Sequence, residues 1–416
     1  MRRNNLLLGI PAAAVALMLV AACGSATGGG DGTPVGDNVA TGTPLKIGAM
    51  TPSNGPEGFP ENEYGALAAE WYVNNEMGGI NGHKLELDIC KGDGSPETAV
   101  ACANGFVSSG YPAVVDAYDF SFGGARPILV EAGIPFGGTV SGDPTNETVE
   151  YGQGFYFTGP LAVTAAGVVN MWKAQGTETA NFVVADAPSA HAYVDSTLAP
   201  WAEATGVEMQ VQYVASTQAN YNAIAAALMD GDPDMTGSLS LPEDGCTSLF
   251  TALRQQGYDG DIYVGSCTEY VEEMSAQDAA GTLTIPRLWL PQAKEHAPAG
   301  IADQMDAFTE AMEAVGHGDN IESRAIYAFA SVVTMAEALS TIEGDVTPET
   351  ATQALKGLKR HQMFLGPDIT CDGNQWPGLA TACAASSIFF TVQEDGSYMP
   401  GDPNGFVDID KSLLGG

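Results

Sequence analysis

Short apolar strands alternating with amphipathic helices run through most of this chain, and that alternation constrains its fold more than any other feature. Strand-like runs are expected at residues 45–50, 84–89, 113–115, 134–136, 180–185, 208–214, 236–241 and 262–264. Helical spacing of apolar residues lies between many of them, at 64–77, 96–109, 164–175, 190–204, 221–229 and 246–256. Repeated βαβ units demand a mainly parallel sheet with helices on both faces. One such sheet is too small for a chain of 416 residues, so an α/β protein of two Rossmann-like lobes is expected.

Ahead of the first strand, Arg2 and Arg3 precede an apolar run, 6–22, that is broken by Gly9 and Pro11 and ends in Val20-Ala21-Ala22-Cys23. This is the layout of a secretory signal. The run is shorter than the roughly 20 apolar residues that a membrane-spanning helix needs. Val20-Ala21-Ala22-Cys23 resembles the bacterial lipobox, which implies that the Cys23 thiol is lipidated and that Cys23 begins the mature chain. Residues 1–22 are therefore expected to be a lipoprotein signal peptide, and 23–44, made largely of small and polar residues, a flexible tether on the outer face of the cell membrane. An ordinary secreted protein with a chance cysteine near the cut is the alternative.

A formal charge of −36 excludes nucleic acid as a partner, because phosphate backbones are bound by clustered Lys and Arg. The same charge keeps the body soluble and away from anionic headgroups, so contact with the membrane is expected through the N-terminal lipid only. Once Cys23 is set aside, six of the seven cysteines remain, an even number suited to an oxidising compartment. Proximity favours Cys90 with Cys102, Cys246 with Cys267, and Cys371 with Cys383. Zinc is the competing use, but no C-x-x-C spacing supports it. No metal or cofactor is expected. A Gly-x-Ser-x-Gly elbow, a His-Glu-x-x-His helix and a Walker loop are all missing from the sequence, so an enzyme is not expected.

Four segments carry a family resemblance: Ile47-Gly48-Ala49-Met50-Thr51-Pro52, the turn Gly78-Gly79-Ile80-Asn81-Gly82, Glu131-Ala132-Gly133-Ile134-Pro135, and Gly366-Pro367-Asp368-Ile369 near the end. Together they resemble the leucine/isoleucine/valine-binding type of solute receptor. The resemblance implies a type I periplasmic-binding-protein fold with three hinge crossovers, a small-molecule ligand held between the lobes, and an ABC permease as partner. It implies a first lobe of residues 45–156 and 291–362, a second of 157–290 and 363–407, and a tail of 408–416. Helix faces such as that of Tyr327, Val332, Met335 and Leu339 read as core, so a monomer is expected. A ligand-sensing ectodomain of a signalling system would use the same cleft and stays open.

Carried onto this chain, the resemblance places Tyr118, Asp119, Phe120 and Ser121 in one cleft loop and Gly138, Thr139, Val140 and Ser141 in the next. On the second lobe it brings Ser189, His191, Leu241, Thr268 and Glu269 to the ligand, with Cys267 at a position where relatives that bind amino acids offer an acid. Arg324 is a candidate positive charge, or a solvent-facing helix residue. Phe59, Tyr118, Phe120 and Trp289 suit an apolar or ring-bearing molecule. The serine-rich cradle and the aligned acid are both missing, which argues against an ordinary α-amino acid and leaves amides, amino-acid derivatives and aromatic or alicyclic acids open.

Overall fold

A computed structural model describes residues 38–411 apart from 56–57, 216–218, 266 and 268–269. The expected signal peptide, Cys23 and most of the expected tether lie outside the described residues, as do Thr268, Glu269 and residues 412–416.

The first sheet opens with β1 (Gly42–Thr51), whose inner half is fully buried, as expected of a strand covered on both faces. It is followed by α1 (Pro60–Asn75), β2 (His83–Lys91), α2 (Pro96–Ser109), β3 (Val114–Asp116), α3 (Arg126–Glu131), β4 (Phe136–Gly138) and β5 (Gly154–Tyr156). The strands lie parallel in the order β2-β1-β3-β4-β5. Local signals set the helix ends. For α2, the Ser95 side chain accepts from the Thr98 amide, Pro96 occupies the first turn, and Gly110 closes the helix at φ 68°.

The second lobe begins with α4 (Leu161–Gln175), β6 (Thr179–Ala185), α5 (Pro188–Tyr193), α6 (Ala199–Thr205), β7 (Glu208–Val214), α7 (Tyr221–Leu228), β8 (Met235–Ser240), α8 (Glu243–Gln255), β9 (Asp261–Val264), α9 (Tyr270–Glu273), α10 (Ala276–Ala279) and β10 (Thr282–Thr284). A π-wound turn, Val194–Leu198, joins α5 to α6 where one continuous helix was expected. The chain then returns to the first lobe with α11 (Ala299–Ala314), α12 (Ser323–Leu339) and α13 (Pro348–Lys356). A hairpin, β11 (Lys359–Gln362) and β12 (Asp368–Thr370), leads back to β13 (Ser386–Ser387), β14 (Phe390–Val392), β15 (Tyr398–Pro400) and β16 (Val407–Asp408). The second sheet runs β15-β14-β10-β9-β8-β6-β7, parallel from β10 to β7, with β14 and β15 antiparallel.

The chain thus passes between the sheets three times. Disulfides form between Cys90 and Cys102, Cys246 and Cys267, and Cys371 and Cys383, with Cα separations of 5.8, 6.5 and 4.2 Å. The last of these closes the loop that makes the third passage. Each lobe has its own aromatic packing. Trp172 stacks on Phe182 at 5.0 Å in the second, and Phe122 meets Phe136 at 5.1 Å in the first.

Helices α1 and α12 pack so closely that a Cβ on Gly65 would meet the Ala325 backbone. Gly65→Ala is expected to destabilise the protein by about 1–3 kcal/mol in denaturant titration, because overpacking outweighs the gain in helix propensity. Gly105→Ala, on a face of α2 where a Cβ meets nothing, is expected to stabilise by up to about 1 kcal/mol. Equal effects at the two sites would contradict this packing.

Candidate functional site

Loops at the carboxyl ends of both parallel sheets enclose a cavity of about 520 Å³, the size range of small-molecule sites. Its first-lobe wall is aromatic. Tyr118 takes φ 66°, a conformation unusual for a tyrosine, and its ring meets Tyr327 edge-on at 5.6 Å and Phe120 at 4.9 Å. Phe120 lies 5.8 Å from Phe59, and the Arg324 guanidinium sits 3.8 Å above the Phe59 ring. The second-lobe wall comes from the ends of β6, β8 and β9 and from α5, with Tyr193, Leu239, Ser240 and Tyr263 among its residues.

The strain at Tyr118 is supported from behind. Asp116, fully buried at the end of β3, accepts from the Asp119 amide at 2.9 Å and from the Tyr156 hydroxyl at 3.0 Å. Asp119 in turn accepts from the Ser121 amide and hydroxyl at 2.7 and 2.6 Å. These carboxylates shape the loop that presents Tyr118 and Phe120. Burial pushes the Asp116 carboxyl up to about 8, against its hydrogen bonds, and does the same for Glu147, whose carboxylate accepts from the Leu161 amide at 2.5 Å.

Arg287 closes the cavity where the lobes join. It lies on the second passage at φ 62° and is 6% exposed. Its guanidinium donates to the carbonyls of Gly159 at 3.0 Å and Pro160 at 3.3 Å, and reaches the Thr158 hydroxyl at 3.5 Å, all on the first passage. Burial lowers its pKa, opposed by neighbouring phenols and Glu147.

Of the positions expected from sequence, Phe59, Tyr118, Phe120, Val140 and Arg324 line the cavity. Arg324 is buried at the start of α12 and does not face solvent. Asp119 and Ser121 lie outside the lining, with the Asp119 carboxylate turned toward Gly92. Gly138 has no room for a Cβ beside the Asp116 carbonyl. The Thr139 hydroxyl donates to the Tyr327 carbonyl at 2.9 Å, and the Ser141 hydroxyl to the Asp143 carbonyl at 2.6 Å, so both hold loops. His191 pairs with Asp186 at 2.8 Å and stacks on Tyr213 outside the lining. Leu241, Cys267 and Trp289 are core residues, and Ser189 lies within α5. Among the described residues, no cluster of His, Cys, Asp and Glu could hold a metal ion.

Arg287, Tyr193, Tyr263 and Tyr327 were not expected from sequence. Arg287 had a usable signal, a lone cation inside the otherwise apolar run of residues 285–290. The tyrosines had none, since a phenol that lines a cleft and one that fills a core share the same spacing.

Two lobes whose parallel strands end at one cavity, joined by three passages of chain, describe a ligand-binding architecture. A family model for periplasmic binding proteins matches residues 44–385. The chain belongs to the periplasmic binding protein family. Its fold is shared by an extracellular ligand-binding receptor from Verminephrobacter eiseniae, at a TM-score of 0.69 and 15% identity over 86% of this chain and 100% of the other. A leucine binding protein from Thermotoga maritima gives 0.67 and 14% over 88% and 99%. An ABC transporter substrate-binding protein from Desulfitobacterium hafniense, in complex with Leu, gives 0.63 and 19% over 86% and 99%. No curated protein matches the chain. Periplasmic binding proteins act outside the cytoplasm and are binding proteins rather than enzymes, and among the described residues no helix is long and apolar enough to cross a membrane.

The buried acids give this periplasmic binding protein a pH signature. Asp116 and Glu147 keep protons in the folded state up to about pH 8, whereas in the unfolded chain they lose them near their ordinary values. The stability they contribute is fully present below the unfolded pKa and is lost as pH rises through about 8. Between about pH 5 and 9, Asp116→Asn is expected to flatten the fall in unfolding free energy measured in urea. Identical slopes for variant and wild type would contradict it.

Proposed function

We propose that this protein is a lipid-anchored solute receptor, which captures one small molecule in the cavity between its lobes and delivers it to the permease of an ABC importer. The observation that carries this reading is the cavity itself, walled by the strand ends of both lobes and closed at the hinge by Arg287. In this reading the first lobe comprises residues 45–156 and 291–362 and the second 157–290 and 363–407, with Phe59, Tyr118, Phe120, Val140 and Arg324 touching the ligand. Hinge closure buries the solute, and the permease distinguishes the closed form from the open one. Relatives of the same fold include proteins described as ABC transporter substrate-binding proteins, which supports the transport partner. Cys23 carries the lipid, and the residues between it and Asn38, whose amide donates to the Asn75 carbonyl and so joins the body, act as the tether that raises the receptor's effective concentration at the membrane.

Two measurements check this. Small-angle scattering is expected to show a smaller radius of gyration when a tight ligand is added, and an unchanged profile at saturation would contradict hinge closure. Metabolic labelling with an alkyne fatty acid is expected to tag the wild-type protein and to leave Cys23→Ser unlabelled. Absence of label on the wild type would contradict the anchor.

A further inference from the structure

We propose that the cavity is built for a cyclic organic acid, an aromatic or alicyclic carboxylate with no cationic group, whose charge is taken by Arg287 and Arg324. The proposal rests on the solute-receptor reading and names the chemistry of that same site.

Both guanidiniums belong to the cavity lining and both are more than nine-tenths buried. The ion pairs formed among the described residues involve neither of them. Arg324 spends its face on the Phe59 ring, and its Nε has no hydrogen-bond partner among the described residues. A buried guanidinium with an unanswered donor is costly, and a carboxylate answers it with charge and a matching pair of acceptors. Arg287 has three acceptors on the first passage, fewer than the five donors that a guanidinium carries.

The walls fix the rest of the ligand. Burial raises the pKa of Tyr118, Tyr193 and Tyr327, so each keeps its proton and offers an apolar ring face with a polar tip. A flat or compact ring matches such a surface. The one carboxylate among the described lining residues is Asp93, exposed at the rim and already accepting from the Ser95 amide and hydroxyl at 3.0 and 2.6 Å. Glu147 and Glu322 are buried but outside the lining. Burial raises the Glu147 pKa, and its carboxyl accepts from the Leu161 amide rather than facing the cavity. Among the described residues, the ammonium of an α-amino acid would therefore enter beside two cations with no buried anion of the lining set against it.

Titration calorimetry on the full-length, detergent-solubilised protein, stripped of endogenous ligand by reversible unfolding with its disulfides intact, tests this. The probes are benzoate, cyclohexanecarboxylate, benzamide, L-phenylalanine and L-leucine. The acids are expected to bind at least about tenfold more tightly than the amide and than either amino acid, the span set by one charge-assisted hydrogen bond. Arg324→Gln is expected to weaken acid binding by about 10- to 100-fold and to narrow the preference for benzoate over benzamide. The wild-type comparison needs no variant, so a folding defect in Arg324→Gln does not blunt the test. Tighter binding of an amino acid than of the acids overturns the ligand class and leaves the receptor reading standing. Binding of no probe also overturns the class. The receptor reading falls only if, in addition, the natively purified protein releases no small molecule on denaturation.

Discussion

The buried guanidinium of Arg287 is the interaction on which the rest of the site depends. Its donors hold the carbonyls of Gly159 and Pro160, so it ties the second passage between the lobes to the first. The Tyr327 hydroxyl donates to the Pro286 carbonyl at 2.7 Å next to it, and the Thr139 hydroxyl donates to the Tyr327 carbonyl, which brings α12 and the loop after β4 into the same web. The third passage joins through the Trp289 amide, which donates to the Leu365 carbonyl at 2.8 Å. A charge placed here feels both the hinge and the ligand. A bound anion at Arg287 would therefore bias the angle between the lobes as well as fill the cavity, which is the differential contact that a closing receptor requires.

Such an arrangement has a cost, and the surroundings show how it is met. Tyr118 and Arg287 adopt positive φ, and Asp116 and Glu147 lie in the interior away from water. Strain and buried polar groups of this kind persist where neighbouring structure over-determines them. Here the Asp116 and Asp119 turn fixes Tyr118, while Glu147 receives the first amide of α4 and so joins the two lobes. The cavity lining gains area from aromatic rings and specificity from very few charged groups, as binding sites for compact apolar solutes commonly do.

Much of the fold was legible because it rests on periodicity. The helix at Pro96–Ser109 and the strand at Glu208–Val214 are signalled by apolar spacing and by end residues such as Ser95, Pro96 and Gly110. The antiparallel pair β14 and β15 gave no comparable signal, since three-residue strands are too short to show a period. The site was legible at the level of loops and not of side chains. Asp119 and Phe120 are adjacent in one loop, yet the carboxylate turns inward to Ser121 while the ring lines the cavity, a choice made by backbone hydrogen bonds that no spacing reveals. For Arg324 the sequence left two readings, and helix packing decides between them by burying the start of α12 against Phe59.

The decisive measurement is a crystal structure of the protein with its tightest-binding solute. The solute is expected inside the cavity between the lobes, with an anionic group within about 3 Å of guanidinium nitrogens of both Arg287 and Arg324 and an apolar body against Tyr118 and Tyr327. A solute seated outside this cavity, or one that turns a cationic group toward the two arginines, would contradict it.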